Sequence, residues 1–242
     1  MDIMTPQGFA HALYQVLSLK PGSSLFLAPV CSTWVWVARG STLRSEAMPL
    51  GWERYSSVLT ANQMVARCCI LMILAAARGI WVVCEQPKGS LMQFHPCFEA
   101  VMDLVPLWRK FIRMGDFGAS SGKGTWLYSS RQEIEQLMEF QPQGIPQHER
   151  KSLVDFYVDS KGKQRVKGNA QLKLSQAYAR AFGKALAKLR TKHLQRSKRM
   201  ARALLKRAAG SVRKGAFKNT SHQMSFWVKH ANLETVLEYL TS

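Results

Sequence analysis

Two residues of reactive type stand where separate apolar runs end. Cys31 follows the run SLFLAPV, and Glu85 follows the run GIWVVC. Short continuous apolar runs of this kind indicate strands that are buried on both faces. Open α/β sheets place their chemistry at the carboxyl ends of their strands, so we expect both side chains to face one crevice.

A thiol and a carboxyl group in one crevice would suit nucleophilic catalysis. Cysteine is the most nucleophilic protein side chain near neutral pH. A carboxyl group in a partly dry pocket can keep a proton and donate it. A structural interpretation also stays open, in which Cys31 is a small core residue and Glu85 caps the next helix.

The elements that must position these residues alternate between helix and strand patterns. The spacing of apolar residues predicts helices at 7–19, 60–78 and 98–108, and apolar runs predict strands at 24–30, 79–87, 110–118 and 125–130. A polar segment at 32–57 is predicted to be a long loop, and long loops in compact domains are often functional. This alternation predicts an α/β fold with a mostly parallel sheet and helices on both faces. Residues 131–170 have a weaker pattern, typical of a linker or a small insertion, and 171–242 form a basic, largely helical tail.

Three segments, in order and spacing, resemble motifs of the cytosine-5 DNA methyltransferase family: APVCSTW, CEQPKGSL and MGDFGASSGKGTWLYSS. That family has a Pro-Cys motif, then a Glu-Asn-Val or Glu-Asn-Pro motif, then a Phe-Gly-Ala stretch that leads to basic residues. Asp2-Ile3 is similar to its Asp-Ile motif at the adenosine end of the cofactor site. The similarity covers residues 1–130 and implies a Rossmann-like methyltransferase sheet. This sheet would be incomplete, because the glycine-rich cofactor motif of the family would precede Met1.

The resemblance also implies a reaction. A cytosine would be flipped out of duplex DNA, because its ring carbons cannot be reached while the base is stacked. Cys31 would add to C6, Glu85 would hold or protonate N3 and the amino group, and S-adenosyl-L-methionine would methylate C5. Lys123 stands where the family has an arginine that braces the base, and Asp2 would contact the cofactor.

The resemblance further implies that the loop after Cys31 closes over the base and excludes water, with Arg39 and Arg44 contacting the nucleic acid. The chain departs from the family motifs in that Val30 precedes the cysteine and Gln86 follows the glutamate. Two hypotheses therefore stand together. The chain is a truncated or degenerate DNA cytosine-5 methyltransferase, or it is a non-catalytic basic nucleic-acid-binding protein with a relic α/β domain.

The net charge of +19 is concentrated in one part of the chain. Residues 1–159 contain 14 Lys and Arg against 13 Asp and Glu, whereas residues 160–232 contain 20 Lys and Arg and no acid. Such a polycation favours a nucleic acid partner, DNA rather than RNA by the resemblance, although an anionic lipid surface or a solvated helix also fits. The basic residues expected to contact phosphates are Lys188, Arg190, Lys192, Arg196, Lys198, Arg199, Arg202, Lys206 and Arg207.

The cysteines and the apolar segments indicate a compartment. The five cysteines are odd in number and lack zinc-site spacing, which predicts a reducing intracellular compartment and no metal. The amino-terminal residues do not resemble a secretory signal. The segment KRMARALLKR suits a nuclear import signal, so a nuclear location is expected. The run CCILMILAAA is too short to span a membrane and predicts a buried helix.

Overall fold

A computed structural model describes residues 2–213 of the chain, with side chains described for 2–195 and for Arg199. The chain divides into two compact units, Met1–Lys192 and His193–Ser242. In the second unit the described part, 193–213, is helical. The helices are α1 Pro6–Ser18, α2 Arg39–Thr42, α3 Ser56–Ala77, α4 Pro96–Leu104, α5 Ala170–Leu174 and α6 Arg180–Arg213. The strands are β1 Ser24–Leu27, β2 Trp81–Pro87, β3 Trp108–Arg113, β4 Gly124–Ser129, β5 Val154–Val158 and β6 Gln164–Gly168.

The main sheet is mixed, with the strand order β1-β2-β4-β3. Strands β1 and β2 pair in parallel, whereas β4 pairs antiparallel with both β2 and β3. The expectation of a mostly parallel sheet is therefore wrong. The reason lies after β3, which ends at Arg113 because Met114–Phe117 form a 3-10 turn. The chain returns directly into β4 without the crossover helix that a parallel pair requires.

One edge of this sheet collects the residues of interest. Because β4 runs opposite to both β2 and β3, strands β1, β2 and β3 share one direction. Their carboxyl ends and the amino end of β4 therefore meet at the same edge. Cys31 follows β1 at this edge, Glu85 lies near the end of β2, and Lys123 directly precedes β4.

Helical elements cover both faces of the sheet. On one face, α1, α3 and α4 pack against Val82 and Cys84 of β2. On the other face, a 3-10 helix at Gln132–Phe140 and the first turns of α6 pack against Trp81 and Val83. Successive side chains of β2 point to opposite faces of the sheet. Because both faces are covered, β2 is buried on both sides.

Helix α3 is the longest apolar element in the described part of the chain. Its 22 residues include all but the last residue of the predicted helix at 60–78, and Gly79 has a φ of 70°. Among the described helices it alone has the length and hydropathy to cross a membrane, and half of the apolar window is buried inside the fold. Val65, Cys69 and Met72 of α3 pack in the core against the sheet.

The segment predicted to be a linker or insertion, 131–170, contains the 3-10 helix at Gln132–Phe140 and the hairpin β5–β6. Between them the chain passes over the edge of the sheet that carries Lys123. Ile145 donates a backbone hydrogen bond to Gly115, and Lys151 donates one to Ser120. A Cβ at Gly144 would lie 2.8 Å from the Cα of Asp116, so this close approach requires glycine there.

Candidate active site

The backbone around Cys31 is held by hydrogen bonds on both sides. Buried Gln86 donates from Nε2 to the carbonyl of Pro29 at 2.9 Å and accepts from the hydroxyl of Ser90 at 2.9 Å. The carbonyl of Cys31 accepts from the backbone N–H groups of Trp34 and Val35. Gln86, at the end of β2, therefore fixes the position of the segment that carries the thiol.

Glu85 is 3% exposed, and both of its carboxylate oxygens have partners. Its Oε1 accepts from Lys123 Nζ at 3.3 Å, and its Oε2 accepts from the hydroxyl of Tyr178 at 2.7 Å. Lys123 reaches Glu85 because the ladder between β2 and β4 places Pro87 beside Thr125. The lysine is itself mostly buried, since 12% of its side chain is exposed.

Cys31 lies within the electrostatic reach of this pair. Burial raises the pKa of the Cys31 thiol; the positive charge of Lys123 opposes this shift, and the carboxylate of Glu85 adds to it. The structure therefore brings together the three side chains that were predicted to be catalytic. At neutral pH the sulfur is a half-buried thiol, and the positive charge of Lys123 favours its thiolate.

Tyr178 is a site residue that was not predicted, since it falls in the basic tail at 171–242. It lies between α5 and α6, and its ring packs edge-on against Phe26 at 5.8 Å and tilted against Phe182 at 5.7 Å. Burial and the neighbouring Glu85 carboxylate raise the pKa of the Tyr178 hydroxyl. One feature of the sequence does indicate such a role: the hydroxyl of a tyrosine needs a polar partner when its ring is buried.

Arg44 does not face outward, in contrast to the expectation that it contacts a nucleic acid. It is 2% exposed, and its guanidinium donates to the carbonyls of Pro49 and Val58. The same group lies over the ring of Trp34, 3.5 Å from the centroid. Arg44 therefore holds together the segment after Cys31, whereas Arg39 in α2 is exposed.

His95 also packs against Trp34, edge-on, with the two ring centroids 5.6 Å apart. Burial, with a further contribution from the charge of Arg44, lowers the pKa of His95 to about 4; Glu53 partly opposes the shift. Nδ1 of His95 accepts from the backbone N–H of Cys97 and caps α4. This imidazole is neutral and structural.

The basic residues of α6 divide into those that the fold uses and those that face solvent. Arg190 donates to the carbonyl of Gly22 at 3.2 Å, and Lys192 pairs with Glu139 at 2.6 Å. Lys188 and Arg199 are exposed. The side chains of the remaining predicted contacts lie outside the described residues: Arg196, Lys198, Arg202, Lys206 and Arg207.

Asp2, the predicted cofactor contact, belongs to the turn that begins α1. Its Oδ1 accepts from the backbone N–H of Met4 at 2.8 Å, and its carbonyl accepts from the hydroxyl of Thr5 at 2.9 Å. In the described residues, neither β1 nor β2 is followed by a Gly-x-Gly sequence. The side chain of Asp2 is therefore engaged locally, and its contact with S-adenosyl-L-methionine stays a prediction.

Comparisons with protein-family models, with curated proteins and with solved structures found no match for this chain. Within residues 2–213, no three His, Cys, Asp or Glu side chains lie close enough together to hold a metal ion. All five cysteines are free thiols. The function must therefore be inferred from the geometry of the site at Cys31, Glu85 and Lys123.

Proposed function

We propose that this chain binds DNA and forms a covalent bond between Sγ of Cys31 and C6 of an extruded pyrimidine. This is the base-activating chemistry that the resemblance to cytosine-5 methyltransferases implies. One observation carries the proposal: a thiol, a carboxylate and an ammonium group from three separate segments converge at the edge of the sheet where β1 and β2 end.

In the addition step, a proton leaves the Cys31 thiol as the S–C6 bond forms. The electrons of the C5–C6 double bond move toward N3, which takes up one proton. We assign that proton to Glu85, since its carboxylate interacts electrostatically with the thiol and accepts a hydrogen bond from Lys123. Loss of the thiol proton balances protonation of N3, and the reverse of these transfers releases the unmodified base.

Lys123 serves two purposes in this scheme. Its positive charge favours the Cys31 thiolate, and its hydrogen bond to Oε1 orients Glu85. A lysine is a point charge on a flexible stem, so it cannot offer the planar paired donors of the arginine that it replaces in the family motif. Lys123 therefore acts as an electrostatic partner of the two reacting groups.

The basic part of the chain supplies the affinity for the polyanion. Lys188 and Arg199 of α6 are exposed, as is Arg39 in the segment after Cys31. Contacts of this kind release counterions from the phosphates, so binding weakens steeply as salt increases. They do not read bases, so this part of the interaction is independent of sequence.

The test is covalent trapping on duplex DNA that carries pyrimidin-2-one in place of cytosine. This base lacks the 4-amino group, so its C6 is more electrophilic and an adduct accumulates without a methyl donor. We expect a denaturant-stable complex that mass spectrometry maps to Cys31. The Cys31→Ser variant should abolish it, whereas Cys97→Ser, which removes the other half-buried thiol, should retain it. Full DNA binding without any adduct would reject the proposal.

Methyl transfer is tested in a parallel reaction that contains a duplex with 5-fluorocytosine together with S-adenosyl-L-methionine. Because the side chain of Asp2 is engaged in the α1 turn, we assign no methyl-transfer role to it. Calorimetry should detect no binding of S-adenosyl-L-methionine to this chain. A stoichiometric heat of binding would show that the chain binds this cofactor.

A second candidate function is non-catalytic binding of nucleic acid, and one contact favours it. The hydroxyl of Tyr178 already donates to Oε2 of Glu85 and Lys123 donates to Oε1, so a base would have to compete with protein partners for this carboxylate. This candidate predicts salt-sensitive DNA binding that is unchanged in Cys31→Ala, together with no adduct on pyrimidin-2-one. The trapping experiment therefore separates the two candidates.

A further inference from the structure

A cleft of about 430 Å³ opens beside Lys123, at the same edge of the sheet as Cys31. Its walls come from the end of β3, the start of β4 and the segment that crosses above them. Basic side chains from each of these contribute to the lining: Arg113, Lys123, Arg150 and Lys151. Among the residues lining the cleft, all of which the structure describes, none is acidic.

Two of the four cations already have a carboxylate partner outside the cleft. Lys123 pairs with Glu85 at 3.3 Å, and Arg150 pairs with Asp116 at 2.8 Å. Arg113 and Lys151 are exposed, and neither forms an ion pair with any residue in the range 2–213. The cleft therefore carries an excess of positive charge that an anion can neutralise.

The walls of the cleft are fixed before any ligand binds. Arg150 donates from Nε to the carbonyl of Ile145 at 2.8 Å, in addition to its pair with Asp116. Gly122 and Gly124 flank Lys123 and are closely packed. A Cβ at Gly122 would lie 3.3 Å from Arg150, and a Cβ at Gly124 would lie 3.1 Å from the ring of Phe111. Prearranged cations are suited to a phosphate group.

We infer that this cleft binds a phosphodiester of the DNA strand beside the base that Cys31 attacks. The inference deepens the proposed function, because Lys123 belongs to both places: it contacts Glu85 and lines the cleft. A strand whose base lies at Cys31 must carry its flanking phosphates along this edge of the sheet. Arg113 and Lys151 neutralise such a phosphate, and Lys123 links its position to the reacting groups.

The test measures equilibrium binding of a fluorescent DNA duplex to the full chain in the Cys31→Ala background, over a series of salt concentrations. We expect Arg113→Gln with Lys151→Gln to weaken binding about tenfold or more. The slope of the logarithm of affinity against the logarithm of salt should fall by about one, since each phosphate contact contributes about 0.9 on B-DNA. Both side chains are exposed, so unchanged thermal midpoints should accompany the loss.

The matched control is Lys20→Gln with Arg78→Gln. This pair removes the same two charges from exposed positions that precede β1 and β2, at the opposite edge of the sheet. Equal effects of the two double variants on affinity and slope would overturn the inference. A cleft for a free phosphomonoester would instead bind deoxycytidine monophosphate in an Arg113- and Lys151-dependent way while duplex binding stayed unchanged, which would also overturn it.

The binding and trapping experiments together separate failure of the cleft from failure of the proposed covalent chemistry. If the wild-type chain forms no adduct but the cleft variants lose DNA affinity as expected, the cleft stands and the covalent chemistry fails. If adducts form and the two double variants bind alike, the covalent chemistry stands and the cleft fails.

Discussion

The hydroxyl of Tyr178 donates a 2.7 Å hydrogen bond to Oε2 of Glu85, which joins the segment just before α6 to the end of β2. Lys123 holds the other oxygen of this carboxylate at 3.3 Å. Both oxygens of Glu85 therefore have protein partners, and a bound base would compete with Tyr178 for Oε2. Its position links the reactive site to the helix that carries the basic residues.

Substitution of Tyr178 by phenylalanine tests whether this hydroxyl blocks the site. The ring should keep its packing against Phe26 and Phe182, and loss of one partly exposed hydrogen bond should cost about 1 kcal/mol of stability. Because Oε2 of Glu85 is then open, we expect adduct formation on pyrimidin-2-one DNA to become several-fold faster. Single-turnover trapping measures this rate.

The matched control for Tyr178→Phe is Tyr157→Phe, which changes an exposed tyrosine on β5 and should leave the rate unchanged. A slower reaction in Tyr178→Phe alone would mean that the hydroxyl assists the chemistry, contrary to this prediction.

Burial and the neighbouring charges should determine how the reactivity of the Cys31 thiol changes with pH. Burial raises the pKa of this thiol above the usual value of 9.0, so alkylation by iodoacetamide should still be accelerating at pH 9. Lys123→Gln removes a charge that favours the thiolate, so the profile should move to higher pH and the rate at pH 8 should fall. Mass spectrometry of the peptide that contains Cys31 measures both.

Two other thiols and a distant lysine serve as internal references for this alkylation. Burial raises the pKa of Cys68 to about 11 and also raises that of Cys84, so both should react far more slowly than Cys31. Lys20→Gln should leave the profile of Cys31 in place. A profile of Cys31 that does not respond to Lys123→Gln would show that the two side chains are not coupled.

The strands and the convergence at their edge could be predicted because they depend on local patterns. The apolar runs before Cys31 and Glu85 are strands that pair in parallel, and the motif spacing places Lys123 at the start of β4. The direction of β4 could not be read from its residues, because it depends on the short return after Arg113. Pairing direction is a property of the connection and not of the strand pattern.

The roles of Arg44 and Tyr178 could not be predicted because their partners are distant in the chain or lack a pattern. An arginine in a polar segment is usually exposed, yet the guanidinium of Arg44 is enclosed by backbone carbonyls and the ring of Trp34. The partner of Tyr178 lies 93 residues earlier. Such contacts become visible only once the helices have packed.

Arg44 should contribute to stability and not to DNA binding. Arg44→Ala leaves carbonyls without donors and removes the cation over Trp34, so the free energy of unfolding should fall by about 2 to 4 kcal/mol. Arg39→Ala, at an exposed position, should change stability by less than about 0.5 kcal/mol. Urea denaturation measures both changes.

Arg44→Ala and Arg39→Ala should affect DNA binding in the opposite order to their effects on stability. Arg39→Ala should weaken it, whereas Arg44→Ala should leave it unchanged at temperatures where the protein is folded. Unchanged stability of Arg44→Ala together with weaker DNA binding would restore the original expectation that Arg44 contacts the nucleic acid.

His95 should make stability depend on pH in the acidic range. Its pKa in the folded chain is about 4, below its ordinary value of 6.5, so the unfolded chain takes up the proton first. The contribution of the neutral imidazole is therefore complete above pH 6.5 and is lost as the pH falls toward 4.

His95→Asn keeps an acceptor to cap α4 but cannot titrate. The difference in unfolding free energy between wild type and this variant should thus shrink by about 1 to 2 kcal/mol from pH 7 to pH 5. Urea denaturation at each pH measures it, with His148→Asn as the control at an exposed histidine. A difference that stays constant over this range would mean that His95 is not held neutral by its surroundings.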